Sequence, residues 1–304
     1  MMIGYLFAVL ALAAALAKAY CSKISSIYVQ DIRENTFSNG IRMFFCIGIG
    51  LGFVLAEGGS LAADPGTIAI ALLSGVSSAV HITTWLSATK RGALMLLNIF
   101  YLSGVLVPLL LCYFLYDEPI RPIQWAGLAV LMAAVYFMCS YNKSLGGKLT
   151  VSSLVILVVC AITAGLMDFT QKMFLYHDPE GSISVFNLYT YIFSAVVLLG
   201  IYGYSKYRDS RKTGTAVVFT GEKRLMGEIF WYIVVMAVCM FANSWFKTSA
   251  AAYLTSVQLY PLYQGASLIL LSVMSAVFFR EKITVSSAVG IVLAFVSLIM
   301  MNLL

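Results

Sequence analysis

The stretch FFREKITVSSAVG (Phe278–Gly290) places three consecutive charges between two apolar runs near the end of the chain. An earlier stretch, LYDEPIRPIQWAG (Leu115–Gly127), has the same outline: a glutamate, an isoleucine two residues later and a glycine nine residues later. Sliding the chain by 163 residues sets Glu118 on Glu281 without a gap, and the apolar blocks on both sides start and stop together. This coincidence indicates an internal duplication.

The composition is that of a membrane protein. Of the 304 residues, 61% are hydrophobic and 11% charged, and the mean hydropathy is +0.93, whereas soluble domains carry roughly 25% charged residues. The apolar residues form blocks of about 20, the length that crosses a bilayer as a helix. Unbroken runs favour helices, because membrane strands alternate in polarity. We predict an all-α membrane protein with ten transmembrane helices, at about 3–20, 41–56, 67–88, 93–116, 122–140, 150–171, 184–203, 229–251, 256–279 and 284–303.

Several features are not expected. The first apolar block is predicted to be helix 1 rather than a cleaved signal, because no basic residue precedes Lys18. The six cysteines form no CxxC pair or Cys/His cluster, so no metal, cofactor or disulfide framework is predicted. The net charge of +6 arises from basic residues in short loops between the predicted spans, so it is attributed to membrane topology and does not indicate nucleic-acid binding.

The basic residues predict an orientation. Of the 19 lysines and arginines, all but Arg121, Lys172 and Lys247 fall beside loops that follow odd-numbered helices. Basic loops stay in the cytoplasm. We therefore expect the odd loops inside and both termini outside, in what we expect to be a bacterial plasma membrane.

The duplicated unit contains five spans, an odd number, so the second unit must enter the membrane the opposite way up. We predict two inverted repeats, residues 1–145 and 146–304. Inverted repeats are typical of secondary transporters, in which the substrate site lies near the midplane between the halves.

The ends of the two units resemble a known family. FLYDEPIRPIQWAGLAVLM (Phe114–Met132) and FFREKITVSSAVGIVLAF (Phe278–Phe295) are similar to the short acidic turn and following glycine-containing helix of EamA domains, in the drug/metabolite transporter superfamily. AYCSKI (Ala19–Ile24) resembles the family's helix-1 lysine pattern less clearly. The resemblance implies ten helices in two halves. It also implies cytoplasmic termini, which is the opposite of the orientation that the charge count predicts.

Four titratable side chains are candidates for gating or proton coupling. Glu118 and Glu281 lie at interhelical turns, where the favoured interpretation is a solvated carboxylate capping the next helix. Asp168 lies late in helix 6, where a bare carboxylate is costly. It is predicted either to pair with Lys172 four residues later or to couple transport. His81 is either a charge switch or a packed hydrogen-bonding residue.

Helix 9 contains the strongest local signal for a cavity. Pro261 removes a backbone donor and is expected to kink this helix, with Gly265 one turn later. Broken membrane helices line transport sites. Lys247 of helix 8 either contributes to the cavity or extends to the membrane surface. The predicted cavity lining is Trp85, Asn98, Tyr101, Asn243, Lys247, Tyr260, Tyr263 and Gln264.

These features predict a secondary active transporter that exports a small polar, amino acid-like metabolite by alternating access. The expected partners are that substrate, the lipid bilayer and a coupling proton, with the chain as monomer or homodimer. Alternatives are a quaternary-ammonium or multidrug carrier, disfavoured because helix 1 has no carboxylate, and a lipid-linked sugar flippase. An enzyme is not expected, because no HExxH, GxGD pair, Gly-x-Ser-x-Gly elbow or Walker loop occurs.

Overall fold

The computed structural model describes residues 2–25, 27–29, 32–90, 103–144, 151–213, 220–279 and 285–302. These residues are helical apart from short connections, and they contain no strand, which confirms the all-α class. The helices are α1 (Met2–Ser25), α2 (Ile32–Ala56), α3 (Pro65–Lys90), α4 (Leu106–Tyr116), α5 (Pro122–Ser144), α6 (Val151–His177), α7 (Ile183–Thr213), α8 (Thr220–Tyr253), α9 (Ser256–Phe279) and α10 (Val285–Asn302).

Several helices extend beyond the apolar spans. α9 has the predicted bounds, but α2 begins at Ile32 rather than near 41. Its added turns contain buried polar side chains, including Glu34 and Asn35. A hydropathy window cannot detect such turns, because their polarity resembles that of a loop. Residues 93–102, predicted to begin helix 4, lie outside the described residues.

Six described helical segments are long and apolar enough to cross a membrane: Met2–Ser25, Arg33–Ala56, Pro65–Trp85, Leu154–His177, Ile183–Arg208 and Met226–Tyr253. Shorter apolar helices cover Leu106–Tyr116, Pro122–Ala134 and Ala288–Met301. The hydrocarbon of a bilayer offers no hydrogen-bond partners to backbone N–H and C=O groups, and a helix satisfies these groups within itself. The chain is therefore an integral membrane protein.

The first five helices pack mainly against the last five. α1 lies against α8, α2 against α7 and α8, α3 against α6 and α7, and α5 against α10. Small residues permit close approach of membrane helices. At Gly75 of α3, an added Cβ would lie 2.6 Å from the Thr190 carbonyl oxygen of α7. This interlocking brings polar residues of both halves into one interior.

Candidate functional site

A buried ion pair joins α6 to α8. The Lys247 ammonium donates to Oδ1 of Asp168, and the two residues are 6% and 2% exposed. Gln264 of α9 donates to Oδ2 at 3.2 Å. The Tyr260 hydroxyl donates to the Asp168 backbone carbonyl at 2.6 Å. Three helices therefore converge on one carboxylate.

The network continues from this pair to α1. The Lys247 ammonium lies 5.0 Å from the ring centroid of Tyr263, close enough for a cation–π interaction. Asn243, one turn before Lys247, donates to the Tyr263 hydroxyl at 2.5 Å and to the Ala11 carbonyl at 2.7 Å. The predicted lining residues of α8 and α9 thus lie together around Asp168.

The partner of Asp168 differs from the predicted one. Lys172 does not pair with it, and instead donates to the carbonyls of Ala251 and Leu254 at 2.8 Å each. Lys247 does not extend to the membrane surface, because its ammonium reaches a carboxylate in the interior. The packing of α8 on α6 determines that Asp168 pairs with Lys247 and that Lys172 binds carbonyls at the end of α8. Residue spacing along a single helix does not contain this information.

Pro261 does not interrupt α9. The helix is continuous from Ser256 to Phe279 with Pro261 inside it, and the kink expected at Pro261 stays a prediction. Gly265 instead allows close packing on α10, because an added Cβ would lie 2.7 Å from Cδ2 of Leu298. Tyr260, Tyr263 and Gln264 are held near Asp168 by an intact helix.

The remaining predicted residues divide into two groups. Nδ1 of His81 lies 3.2 Å from the Cys160 carbonyl oxygen, and its ring lies 5.6 Å from that of Trp85. The contact of His81 with Cys160 joins α3 to α6. Asn98, Tyr101 and Glu281 lie outside the described residues.

Glu118 is buried rather than solvated, with 5% of its surface exposed. Oε1 accepts from the Tyr176 hydroxyl at 2.8 Å and lies 3.4 Å from the Lys172 ammonium. Oε2 accepts from the Ser256 amide at 2.8 Å. Asp117, with φ 50°, ends α4 in the left-handed region. Glu118 therefore caps α9 rather than the next helix, α5, and ties α4 to α6.

A second group of bonds joins the halves where the α2–α3 and α6–α7 connections meet. Ser182 and Ser184 donate to the Glu57 carboxylate at 2.7 and 2.5 Å. His177 Nε2 lies 2.7 Å from Oδ2 of Asp64. The hydrogen bond with His177 lowers the pKa of Asp64 below its ordinary value, so this carboxylate remains an acceptor to lower pH. Together with the Glu118 cluster, these contacts join the first and second halves of the chain at the even-loop end, the end that carries the connections after α2, α4, α6 and α8.

A surface cleft of about 280 Å³ opens beside the Glu118 cluster. Its lining is Lys172, Leu175, Tyr176, Pro179, Ala251 and Ala252. No residue of the predicted substrate cavity lines this cleft. The cleft therefore lies at the even-loop end and is separate from the predicted substrate cavity.

Comparison with known proteins adds an independent observation. The model of the EamA-like transporter family matches residues 151–303, half of the chain. The chain belongs to the EamA-like transporter family. This confirms the predicted membership of the drug/metabolite transporter superfamily.

One solved crystal structure, described simply as that of a protein, has the same fold as this EamA-like chain. It matches with a TM-score of 0.69 and 15% identity, covering 99% of this chain and 96% of that one. At this identity the likeness shows the fold alone. No functionally curated protein matches the sequence.

The burial of two basic residues of this EamA-like protein was not predicted from its sequence. Arg42 was counted with the basic residues beside the loop after helix 1, but it lies inside α2 and is 9% exposed. Lys18 lies within α1 and is half-buried. The only feature of the sequence that could have indicated this burial is that each basic residue adjoins an apolar run. Among the described residues, no group of three His, Cys, Asp or Glu could hold a metal ion.

Proposed function

We propose that this EamA-like protein is a secondary transporter that exports a small polar, amino acid-like metabolite by alternating access. The observation that carries the proposal is the Asp168–Lys247 pair, buried within membrane helices and surrounded by hydroxyl and amide groups. Intramembrane charges are costly and mark substrate or ion pathways. Asp168 is the proposed coupling carboxylate, with a proton as the coupling ion.

Helix packing supports two inverted repeats, residues 1–145 and 146–304. Among the described residues, most of the extensive helix contacts are kept when each helix is exchanged for the one five positions away in the other half, although the contact of α9 with α10 has no counterpart of similar extent between α4 and α5. The α1–α8 contact becomes α6–α3, α2–α8 becomes α7–α3, and α4–α6 becomes α9–α1, whereas α2–α7 and α5–α10 map onto themselves. A pseudo-twofold axis between two similar halves accounts for this exchange.

Alternating access requires the contacts at the even-loop end to break and re-form. Glu57 of the first half binds Ser182 and Ser184 of the second, and Glu118 of the first half binds Lys172 and Ser256 of the second. We propose that these contacts close one side of the transport pathway. Their release opens that side to the substrate.

Transport is tested with purified protein in proteoliposomes, using a panel of amino acids and related metabolites with and without a pH gradient. We expect saturable uptake of at least one metabolite above empty liposomes, and faster uptake with the gradient. No uptake of any panel member, with protein shown to be folded, would contradict the proposal.

Closure is tested in the same liposomes with Glu57→Cys and Ser182→Cys, joined by a short, reducible thiol cross-linker. Because the cross-link holds the even-loop end shut, we expect uptake to fall to the level of empty liposomes and to return on reduction. Each single-cysteine variant and the treated native chain serve as controls. Full uptake by the cross-linked protein would contradict alternating access through this end.

We further propose that the even-loop end faces outward, with both termini outside the plasma membrane. Lys18 and Arg42 lie within helices, but most of the other basic residues remain on the odd-loop side. In intact cells, we expect a membrane-impermeant maleimide to label Ser60→Cys and to leave Arg211→Cys unlabelled until lysis. Both positions are exposed, and the reverse labelling would contradict the orientation.

A further inference from the structure

Arg42 has no anionic partner among the residues that the structure describes. Its guanidinium is buried on α2, and its one hydrogen-bond contact is Nη1 with Sδ of Met236 on α8, at 3.9 Å. Nε has no hydrogen-bond partner. A thioether is a weak acceptor and cannot compensate a buried charge, so the guanidinium retains unused donors.

Lys18 reaches the same level of the bundle from α1. α1 and α8 are antiparallel, with Gly4 beside Tyr253 and the Ala11 carbonyl bonded to Asn243. Lys18 lies two turns beyond Ala11 on α1, and Met236 lies two turns before Asn243 on α8. The alignment of the two helices therefore places Lys18 at the level of Met236, the residue that Arg42 contacts. Lys18 and Arg42 lie close enough to influence each other electrostatically.

Among the residues that the structure describes, no carboxylate pairs with Arg42 or Lys18 to balance the positive charge at this level. Lys247 also influences Lys18 electrostatically, but its own charge is paired with the carboxylate of Asp168. Cys46, one turn after Arg42, donates to the Ala237 carbonyl at 3.5 Å and supplies no anion. Charges inside a membrane normally pair or face a water-filled cavity. The uncompensated pair therefore fits an anionic ligand.

We propose that Arg42 and Lys18 form a subsite that binds the oxyanion, carboxylate or phosphate, of a small soluble substrate. The fork of a guanidinium matches both oxyanions, and an ammonium adds a second charge from the facing helix. The subsite rests on the proposed transport function and narrows its substrate class to organic anions and zwitterions. Cationic drugs are disfavoured by the same charges.

The test measures binding rather than transport. The full-length protein, purified in a neutral lipid-free detergent, is titrated with succinate, inorganic phosphate or choline at constant ionic strength, and its thermal unfolding midpoint is recorded. We expect succinate or phosphate, but not choline, to raise the midpoint of the native chain. Arg42→Gln should weaken this binding by roughly tenfold to a hundredfold, and the exposed Arg211→Gln should leave it unchanged.

A second readout separates binding from a structural role. Because Arg42 and Lys18 repel each other, Arg42→Gln without ligand should unfold at the same temperature as the native chain or higher. If the Arg42 variant cannot be purified, Lys18→Gln replaces it. We expect the same two results for Lys18→Gln: weaker anion binding, and an unfolding midpoint without ligand that is unchanged or higher. A midpoint lowered in both variants, or no response of the native chain to either anion, would overturn the subsite.

Two further arms identify the source of the anion. If only phosphatidylglycerol micelles give an Arg42-dependent stabilisation, the subsite binds a lipid headgroup and the substrate assignment is wrong. If liposomes transport neutral metabolites while neither anion binds, the proposed anion subsite is wrong and the proposed transport function is supported. Anion binding without any uptake would support the subsite and count against transport.

Discussion

Replacing Asp168 with asparagine will lower the free energy of unfolding by about 3–5 kcal/mol, the usual cost of removing one partner from a buried ion pair. The Lys247 ammonium, only 6% exposed, would then lie in the bundle interior without its carboxylate. Gln264 would also lose a charged acceptor. The thermal or denaturant midpoint of the detergent-purified protein measures this effect.

The control is a double variant in which Asp168→Asn is combined with Lys247→Met. Because a neutral apolar residue replaces the ammonium, no buried charge is left unpaired, and we expect most of the lost stability to return. Lys247→Met alone should destabilise the protein, since it leaves the Asp168 carboxylate buried and unpaired. Equal stability of the native chain and Asp168→Asn would contradict the pairing.

The same double variant tests proton coupling. If Asp168 binds the coupling proton, liposomes containing the folded double variant should lose the acceleration of uptake by a pH gradient. Uptake that still depends on the gradient would remove Asp168 from the coupling role while leaving its structural pairing intact.

The sequence was sufficient to predict the fold class, most helices and the individual polar residues of the Asp168 network. Long apolar runs specify membrane helices whatever their neighbours, and charged or amide side chains within them are conspicuous. Asp168 and Lys247 were each identified for that reason. Their pairing was not, because it depends on how α8 packs against α6 rather than on spacing along either helix.

Two errors share a physical cause. The first turns of α2 and the residue Glu118 are polar and adjoin apolar runs, so hydropathy predicts a loop and a solvated turn. Both are buried, because helices that pack against protein on several sides can satisfy polar groups internally. Arg42 was missed with them. Sequence patterns predict polarity well, but they do not tell whether water or another helix satisfies it.

Replacing Glu118 with alanine will lower the free energy of unfolding by about 2–4 kcal/mol, since a buried charge and two donors lose their acceptor. The Lys172 ammonium would lose its anionic partner and keep the carbonyls of Ala251 and Leu254 as hydrogen-bond acceptors. The Ser256 amide at the start of α9 would lose its cap. Thermal unfolding of the purified protein measures the loss.

Asp117→Asn is the matched control for this prediction. It removes the same charge from the adjacent but exposed residue, and asparagine tolerates the left-handed conformation of that position, so stability should change little. Glu118→Gln should fall between the two, because its amide keeps one acceptor oxygen but no charge. Equal stability of Glu118→Ala and Asp117→Asn would show that Glu118 does not hold α4 to α6 and α9. Since this carboxylate links the two halves, Glu118→Ala should also weaken closure of the even-loop end and raise thiol labelling of Ser182→Cys.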